Sequence, residues 1–216
     1  MTVAQNIAQI RSAVEAACLR AKRNPSEVLI EAVIKNRADD EIKKAIDAGV
    51  RIVGVNRIQD AETKFPHLPA NVEKHIIGPI QSNKAGKAAE IADVIESLDR
   101  IKIAKILNDH APRTLPVYVE VNVGSEPQKH GIKPEELPQF LTDLKPLTNL
   151  KIMGLMTVAP LGPPEKTRPI FKELQQLAHA HNITGLSMGM TDDYVTAVEE
   201  GSTLVRIGRA LFDDKN

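Results

Sequence analysis

The chain has 216 residues, with 28 Lys+Arg against 28 Asp+Glu, 42% hydrophobic residues and only 3% aromatics. Balanced charge and scarce rings argue against a nucleic-acid partner, which needs a basic, stacking surface. Cys18 alone forms no internal disulfide, no run approaches the ~18 apolar residues of a membrane span, and the N-terminus lacks the pattern of a signal peptide, so the sequence predicts a cytoplasmic protein with no membrane partner.

Ile7, Ile10, Val14, Ala17 and Ala21 share one face at helical spacing and predict an N-terminal helix, broken by Asn24-Pro25-Ser26. Short apolar runs then alternate with amphipathic stretches. The runs are Val28–Ile34, Arg51–Val55, Lys74–Gly78, Asp93–Ser97, Val117–Val123, Lys151–Met156, Thr184–Met188 and Thr203–Ile207. Several are nearly continuous in Val, Ile and Leu, as in parallel strands covered on both faces. Between them, Asp39-Asp40 caps a helix carrying Ile42, Ala45 and Ile46 and ended by Gly49. Asp99 caps Ile101–Asp109, and Pro134 suits the first helical position before Leu137, Leu141 and Leu144. Thr191 or Asp192 caps Val195–Glu200, which Gly201 closes.

Eight units in 216 residues give about 27 residues each, the size of a βα unit. The prediction is an α/β fold, a (β/α)8 barrel of TIM type forming one domain over residues 1–216; a doubly wound open sheet is the alternative. Only Gly208–Asn216 follow the eighth run, too few for a full outer helix. The additional N-terminal helix is therefore the candidate to complete the ring beside strand eight.

In such barrels the chemistry sits where strands end. Polar residues there are Lys35, Asn56, His75, Gln81, Asn122, Ser187 and Arg206. Lys35 reads either as a strand-end lysine reaching for water or as an amine nucleophile, whose proton is lost more easily in an apolar mouth. Ser187 to Asp193 reads either as turn-and-cap chemistry or as a loop whose amides face an anion. Gly208-Arg209 follows strand eight, and barrels often hold a phosphate at the loops after strands seven and eight. No phosphate-binding glycine loop and no G-x-G-x-x-G occurs. His179 and His181 lack a thiol or carboxylate partner and read as surface histidines, so no metal site is expected.

Ala32-Val33-Ile34-Lys35, Gly54-Val55-Asn56, His75-Ile76-Ile77-Gly78-Pro79-Ile80-Gln81-Ser82-Asn83-Lys84, Gly154-Leu155-Met156, Leu186-Ser187-Met188-Gly189-Met190-Thr191-Asp192-Asp193 and Val205-Arg206-Ile207-Gly208-Arg209 occur in that order. Together they resemble the pyridoxal phosphate homeostasis proteins, a family similar to the N-terminal barrel of alanine racemase. The resemblance covers nearly the whole chain. It implies a pyridoxal 5′-phosphate (PLP) barrel that binds and buffers the cofactor as an internal aldimine on Lys35. It implies phosphate contacts from Ser187 and from amides around Gly189, Gly208 and Arg209, with Arg206 facing the pyridine nitrogen and Asn56 near the cofactor. Two departures stand out: Val55 replaces the family's usual Glu, and Asn36-Arg37-Ala38 replaces its usual Lys-Thr or Lys-Gln run.

Three functions compete. The first is a PLP carrier or buffer, acting as a monomer and supplying PLP-dependent apo-enzymes. The second is a PLP enzyme such as an amino-acid racemase, and the third a Schiff-base enzyme acting on a small phosphate ester. Lys129, in the loop after strand five, reads as a solvated lysine or as an amine that exchanges the aldehyde with Lys35. Racemisation needs a second base, and the two tyrosines, Tyr118 and Tyr194, are poorly placed for it, leaving His130 or Asp193 as substitutes. The carrier reading is preferred.

Overall fold

The computed structural model describes residues 1–124, 126 and 128–213. Eight strands fall on the eight apolar runs: β1 (Leu29–Val33), β2 (Ile52–Val55), β3 (Glu73–Ile76), β4 (Val94–Leu98), β5 (Leu115–Glu120), β6 (Leu150–Met156), β7 (Gly185–Met190) and β8 (Leu204–Ile207). They pair in parallel and in chain order, and β8 pairs back onto β1 to close the barrel. This is the predicted (β/α)8 barrel, and it excludes the open sheet.

Helices α1 (Val3–Arg20), α2 (Asp39–Asp47), α3 (Ile58–Lys64), α4 (Ala85–Ile91), α5 (Ile101–His110), α6 (Leu137–Leu144), α7 (Pro164–Ala180), α8 (Tyr194–Glu199) and α9 (Arg209–Phe212) surround it. α1 packs against α8, α9 and α2, and so fills the place that the four-residue α9 cannot. Its buried face carries Ile7, Ile10, Val14 and Ala17 of the predicted stripe together with Cys18, while Ala21 is the C-cap and only partly buried. Buried Asn6 fastens α1 to the far end of the chain, its Nδ2 donating to the carbonyl of Leu211 at 3.0 Å.

The helix starts differ from expectation in detail. Ala38, not Asp39, is the N-cap of α2, and Glu41 accepts from its amide at 2.9 Å; the two aspartates stand in the first turn, where the exposed helix amides favour negative charge. Arg100 is the N-cap of α5, and Asp99 pairs with the Arg100 side chain instead. Asp193 caps α8 in place of Thr191 or Asp192. It turns backward, Oδ1 accepting from the Met190 amide at 2.7 Å, which ties the β7 loop to the helix it leads into. Pro134 opens a 3-10 turn that runs into α6.

The residues between barrel and helices are almost wholly apolar. Inside the barrel the pattern breaks, because Glu31, His75, Glu96, Ser187 and Arg206 are all buried.

Candidate functional site

Lys35 follows β1 at the C-terminal face of the barrel. It is exposed, and its amine has no hydrogen bond or ion pair among the described residues. Asn36 takes the left-handed conformation (φ 57°), which an asparagine tolerates, and turns the chain toward α2. Next along the rim, the ends of β2 and β3 approach so closely that a Cβ on Gly78 would lie 2.2 Å from the Asn56 carbonyl oxygen. Asn56 itself keeps a buried Oδ1 with no partner. A cavity of about 210 Å³ opens here, lined by Asn56, Gly78, Glu120, Asn122, His130 and Thr157 among others. It takes in neither Lys35 nor Arg206 nor Gly208. Burial, with the Asp99 charge adding to it, raises the carboxyl of Glu120 to about 7 against the pull of Arg206 and Arg100.

Arg206 forms the floor. Its register partner on β1 is Glu31. One guanidinium nitrogen donates to the Ser187 hydroxyl and the other to the Thr157 carbonyl at 2.8 Å. Ser187 in turn donates to Glu96 Oε2 at 2.5 Å, and that oxygen lies 3.8 Å from the guanidinium. The other oxygen of Glu96 meets His75 Nδ1 at 2.5 Å, while His75 Nε2 meets Glu73 Oε1 at 3.0 Å. Burial alone would lower the imidazole. The hydrogen bonds to Glu73 and Glu96 and the nearby carboxylate charges instead carry it up to about 10. Glu96, against its own burial, is held well below the carboxylate range by His75 and Arg206.

Glu31 completes the group, 4.0 Å from His75 Nδ1, and accepts no hydrogen bond at either oxygen. Burial and then the Glu96 charge push its carboxyl well above the usual range, against the pull of His75 and Arg206. The donor atoms of Glu31, His75 and Glu96 lie within 4.8 Å of one another, as in a metal site. Here, however, both oxygens of Glu96 are already engaged by the His75 imidazolium and the Ser187–Arg206 pair, and a dication would compete with two fixed cations.

The loops after β7 and β8 meet above this floor. Gly189 sits at φ +93°, and a Cβ there would press Ala197 at 2.5 Å, so only glycine fits. Thr191 Oγ1 lies 3.3 Å from the Ala210 amide and joins the two loops. The first amides of α9 have no intrahelical partner and open toward the same junction. A Cβ on Gly208 would stand 3.7 Å from Val33, so β8 passes close to the end of β1 without crowding it. The exposed Arg209 side chain pairs with Asp192.

The predicted residues therefore divide. Lys35, Asn56, Gly208 and Arg209 lie at the C-terminal face, and Gly189 shapes the β7 loop. Ser187 and Arg206 come together inside the barrel, where the Ser187 hydroxyl is spent on Glu96 and Arg206. His75 is not a strand-end group but a buried interior one, and Gln81 is exposed at the start of a turn. Glu31, Glu96, Thr157 and Glu120 were not singled out by the sequence, and Thr191 only as a cap candidate in the loop after β7. Val55 is fully buried among apolar neighbours. Lys129 pairs with Glu126 and donates to the Val158 carbonyl at 3.2 Å; of its loop, Ser125 and Pro127 lie outside the described residues. Tyr118 faces the interior, its ring edge 2.5 Å from a Cβ built on Gly154, and Tyr194 is half-buried at the start of α8.

The alanine racemase N-terminal domain family matches residues 2–215. Among curated relatives, the pyridoxal phosphate homeostasis protein of Escherichia coli K12 is 38% identical over 225 residues, covering 97% of this chain and 95% of the relative. That of Pseudomonas aeruginosa PAO1 is 39% identical over 220 residues, covering 98% and 95%. Among solved structures, PipY of Synechococcus elongatus PCC7942 with PLP bound superposes with a TM-score of 0.80 at 33% identity, covering 98% of this chain and 100% of PipY. Alanine racemase of Clostridium difficile shares the fold, with a TM-score of 0.71 at 15% identity, over 94% of this chain and 57% of the racemase. On both the family match and the identity to its relatives, the chain belongs to the pyridoxal phosphate homeostasis protein family.

Proposed function

We propose that this chain binds pyridoxal 5′-phosphate at the C-terminal mouth of its barrel and serves intracellular PLP homeostasis as a buffer or carrier. The observation that carries the reading is Lys35, an unpaired amine at the end of β1 in a family whose member PipY is known with PLP bound. The unpartnered Oδ1 of Asn56 and the Thr191–Ala210 junction support the fit, one offering an unsatisfied polar atom and the other a hydroxyl set against the start of α9. When bound, the group supplies an aldehyde that condenses with an amine to a C=N bond, releasing water, and a phosphate dianion.

Lys35 supplies the amine. Thr191, Gly208 and the amides of Arg209 and Ala210 hold the phosphate, and Gly189 lets the β7 loop reach them. Arg206 meets the pyridine nitrogen. Because a guanidinium keeps its proton, that nitrogen stays neutral and the ring is a weak electron sink. Ser187 supports Arg206 rather than the phosphate. Neither tyrosine offers a second base at the mouth, which favours buffering over turnover. The same reading makes PLP-dependent apo-enzymes the recipients, the chain a monomer and the cytoplasm its compartment; balanced charge and a lone, buried Cys18 support the last.

The test is an absorbance spectrum with and without PLP, then borohydride reduction and peptide mapping. A pyridoxyl adduct on the peptide containing Lys35 is expected, and an adduct only elsewhere refutes the assignment. Following α-proton exchange of L-alanine in D2O checks the carrier reading, which turnover at roughly 1–1000 per second rejects.

A further inference from the structure

Four of the groups inside the barrel form, with Glu73, a continuous chain of five. It starts at Glu73, whose side chain is 49% exposed at the N-terminal face, and passes through His75 and Glu96 to Ser187 and Arg206. Every link is a hydrogen bond, and every member beyond Glu73 is buried. The chain crosses from β3 through β4 and β7 to β8, so it runs across the barrel interior from the N-terminal face to the buried floor at Arg206. Such a run of polar groups is costly inside an apolar core unless each is satisfied, and here each is.

We propose that Glu96 and His75, with Ser187, are positioning residues for Arg206: the column fixes where the guanidinium points and keeps the Glu96 carboxyl group beneath it. The inference rests on the reading that Arg206 meets the pyridine nitrogen. An arginine with five donors and one long stem has many orientations. Three acceptors determine this one: the Ser187 hydroxyl, the Thr157 carbonyl and the Glu96 carboxylate behind them. Glu96 is itself set by His75, whose ring is oriented from below by Glu73. The groups facing Glu96 are Glu31 from β1, Glu73 and His75 from β3, Tyr118 from β5, Ser187 from β7 and Arg206 from β8. Glu96 therefore stands between His75 and Arg206, with the guanidinium 3.8 Å from its Oε2. A change at the exposed Glu73 reaches the cofactor face through His75, although no cofactor contact lies near it.

The experiment loads the chain with PLP and follows its absorption against pH in wild type and in the S187A, E96Q and E73Q variants, with a melting curve of each apo-protein. Ser187→Ala and Glu96→Gln should weaken PLP binding at least about tenfold, the effect of losing a charged hydrogen bond, and shift the pH midpoint of the absorption band. Ser187→Thr, which keeps the hydroxyl, should restore the midpoint. Glu73→Gln should move the midpoint while melting stays within a few degrees. A merely structural role would change melting and leave the midpoint alone. Affinity and midpoint unchanged in folded S187A or E96Q overturn the proposal. If E96Q does not fold, S187A and its threonine rescue decide. If only E73Q is silent, the column below Glu96 is refuted. Wild type that takes up no PLP refutes the cofactor reading itself, an outcome distinct from a bound cofactor indifferent to the column.

Discussion

The carboxylate of Glu31 occupies the space in which a side chain at residue 54 would begin: a Cβ on Gly54 would lie 1.5 Å from Glu31 Oε1. β1 and β2 thus share one slot inside the barrel, and a glycine on β2 makes room for a buried acid on β1. Gly54→Ala should cost at least about 2 kcal/mol by overpacking, measured by chemical denaturation. Glu31→Ala in the same chain should recover part of that loss, because the two positions compete for one volume. Strictly additive costs would show that the slot is not shared.

Lys35→Ala separates chemistry from stability. The residue is exposed and unpaired, so its loss should change unfolding free energy by no more than about 0.5 kcal/mol. The borohydride adduct should vanish at the same time. Retention of an adduct in K35A places the reactive amine elsewhere.

Thr191 and Ser187 should be separable with pyridoxal, which lacks the phosphate. Thr191→Val should weaken PLP by about 1–3 kcal/mol and leave pyridoxal binding nearly unchanged, as expected for a phosphate donor. Ser187→Ala should weaken both ligands, since it acts on the ring end through Arg206. Titration calorimetry with the two ligands reads the difference, and a phosphate-selective S187A would exchange the two roles.

Glu120 makes stability fall as pH rises. Below pH ~4 the carboxyl is protonated in folded and unfolded chains alike, and it contributes nothing. Between there and about 7, the folded chain holds a proton that the unfolded chain releases, so the penalty grows through that window and is complete above it. Glu120→Gln should stabilise the protein on the order of 3 kcal/mol at pH 8 and not at all at pH 4. Equal effects at both values would mean that Glu120 carries no such shift.

His75 should be an imidazolium at pH 8 despite its burial, since its partners carry it up to about 10. The stability it lends is present in full below pH ~6.5 and disappears as pH rises through about 10. Nitrogen-15 shifts of the ring distinguish the charged form from either neutral tautomer. A neutral ring at pH 8 would remove the charge balance drawn for Glu96.

The barrel was legible because its strands are runs of Val, Ile and Leu covered on both sides, and such runs have few other homes. The closing role of α1 was legible from chain length past β8 and from the stripe Ile7 to Ala17. The interior column was not, although a trace existed. Glu31 is the one charge inside Val28–Ile34, and Glu96 stands alone between Val94-Ile95 and Leu98. A solitary carboxylate in an otherwise apolar strand signals a buried partner, but the partner comes from another strand and strand pairing does not name it. His75 reads as a strand-end residue because it opens the segment that runs to Lys84, but β3 continues to Ile76 and carries His75 inside the barrel. Caps failed for another reason: two aspartates stand at the start of α2 and two at that of α8, and sequence does not rank them, while at α5 the lone Asp99 precedes the cap by one residue.

The seam between β1 and β8, reinforced by Asn6 on Leu211, joins the first and last parts of the chain. On the ribosome these are made far apart in time. Roughly 170 residues separate Val33 from Leu204, which is about 10–30 s of synthesis. Through that interval the free edge of β1 has no neighbour on one side, and the apolar stripe of α1 has neither α8 nor α9 to cover it. Nascent chains should therefore carry a sticky edge until β8 has emerged, and closure of the barrel becomes a single all-or-none event rather than a gradual one.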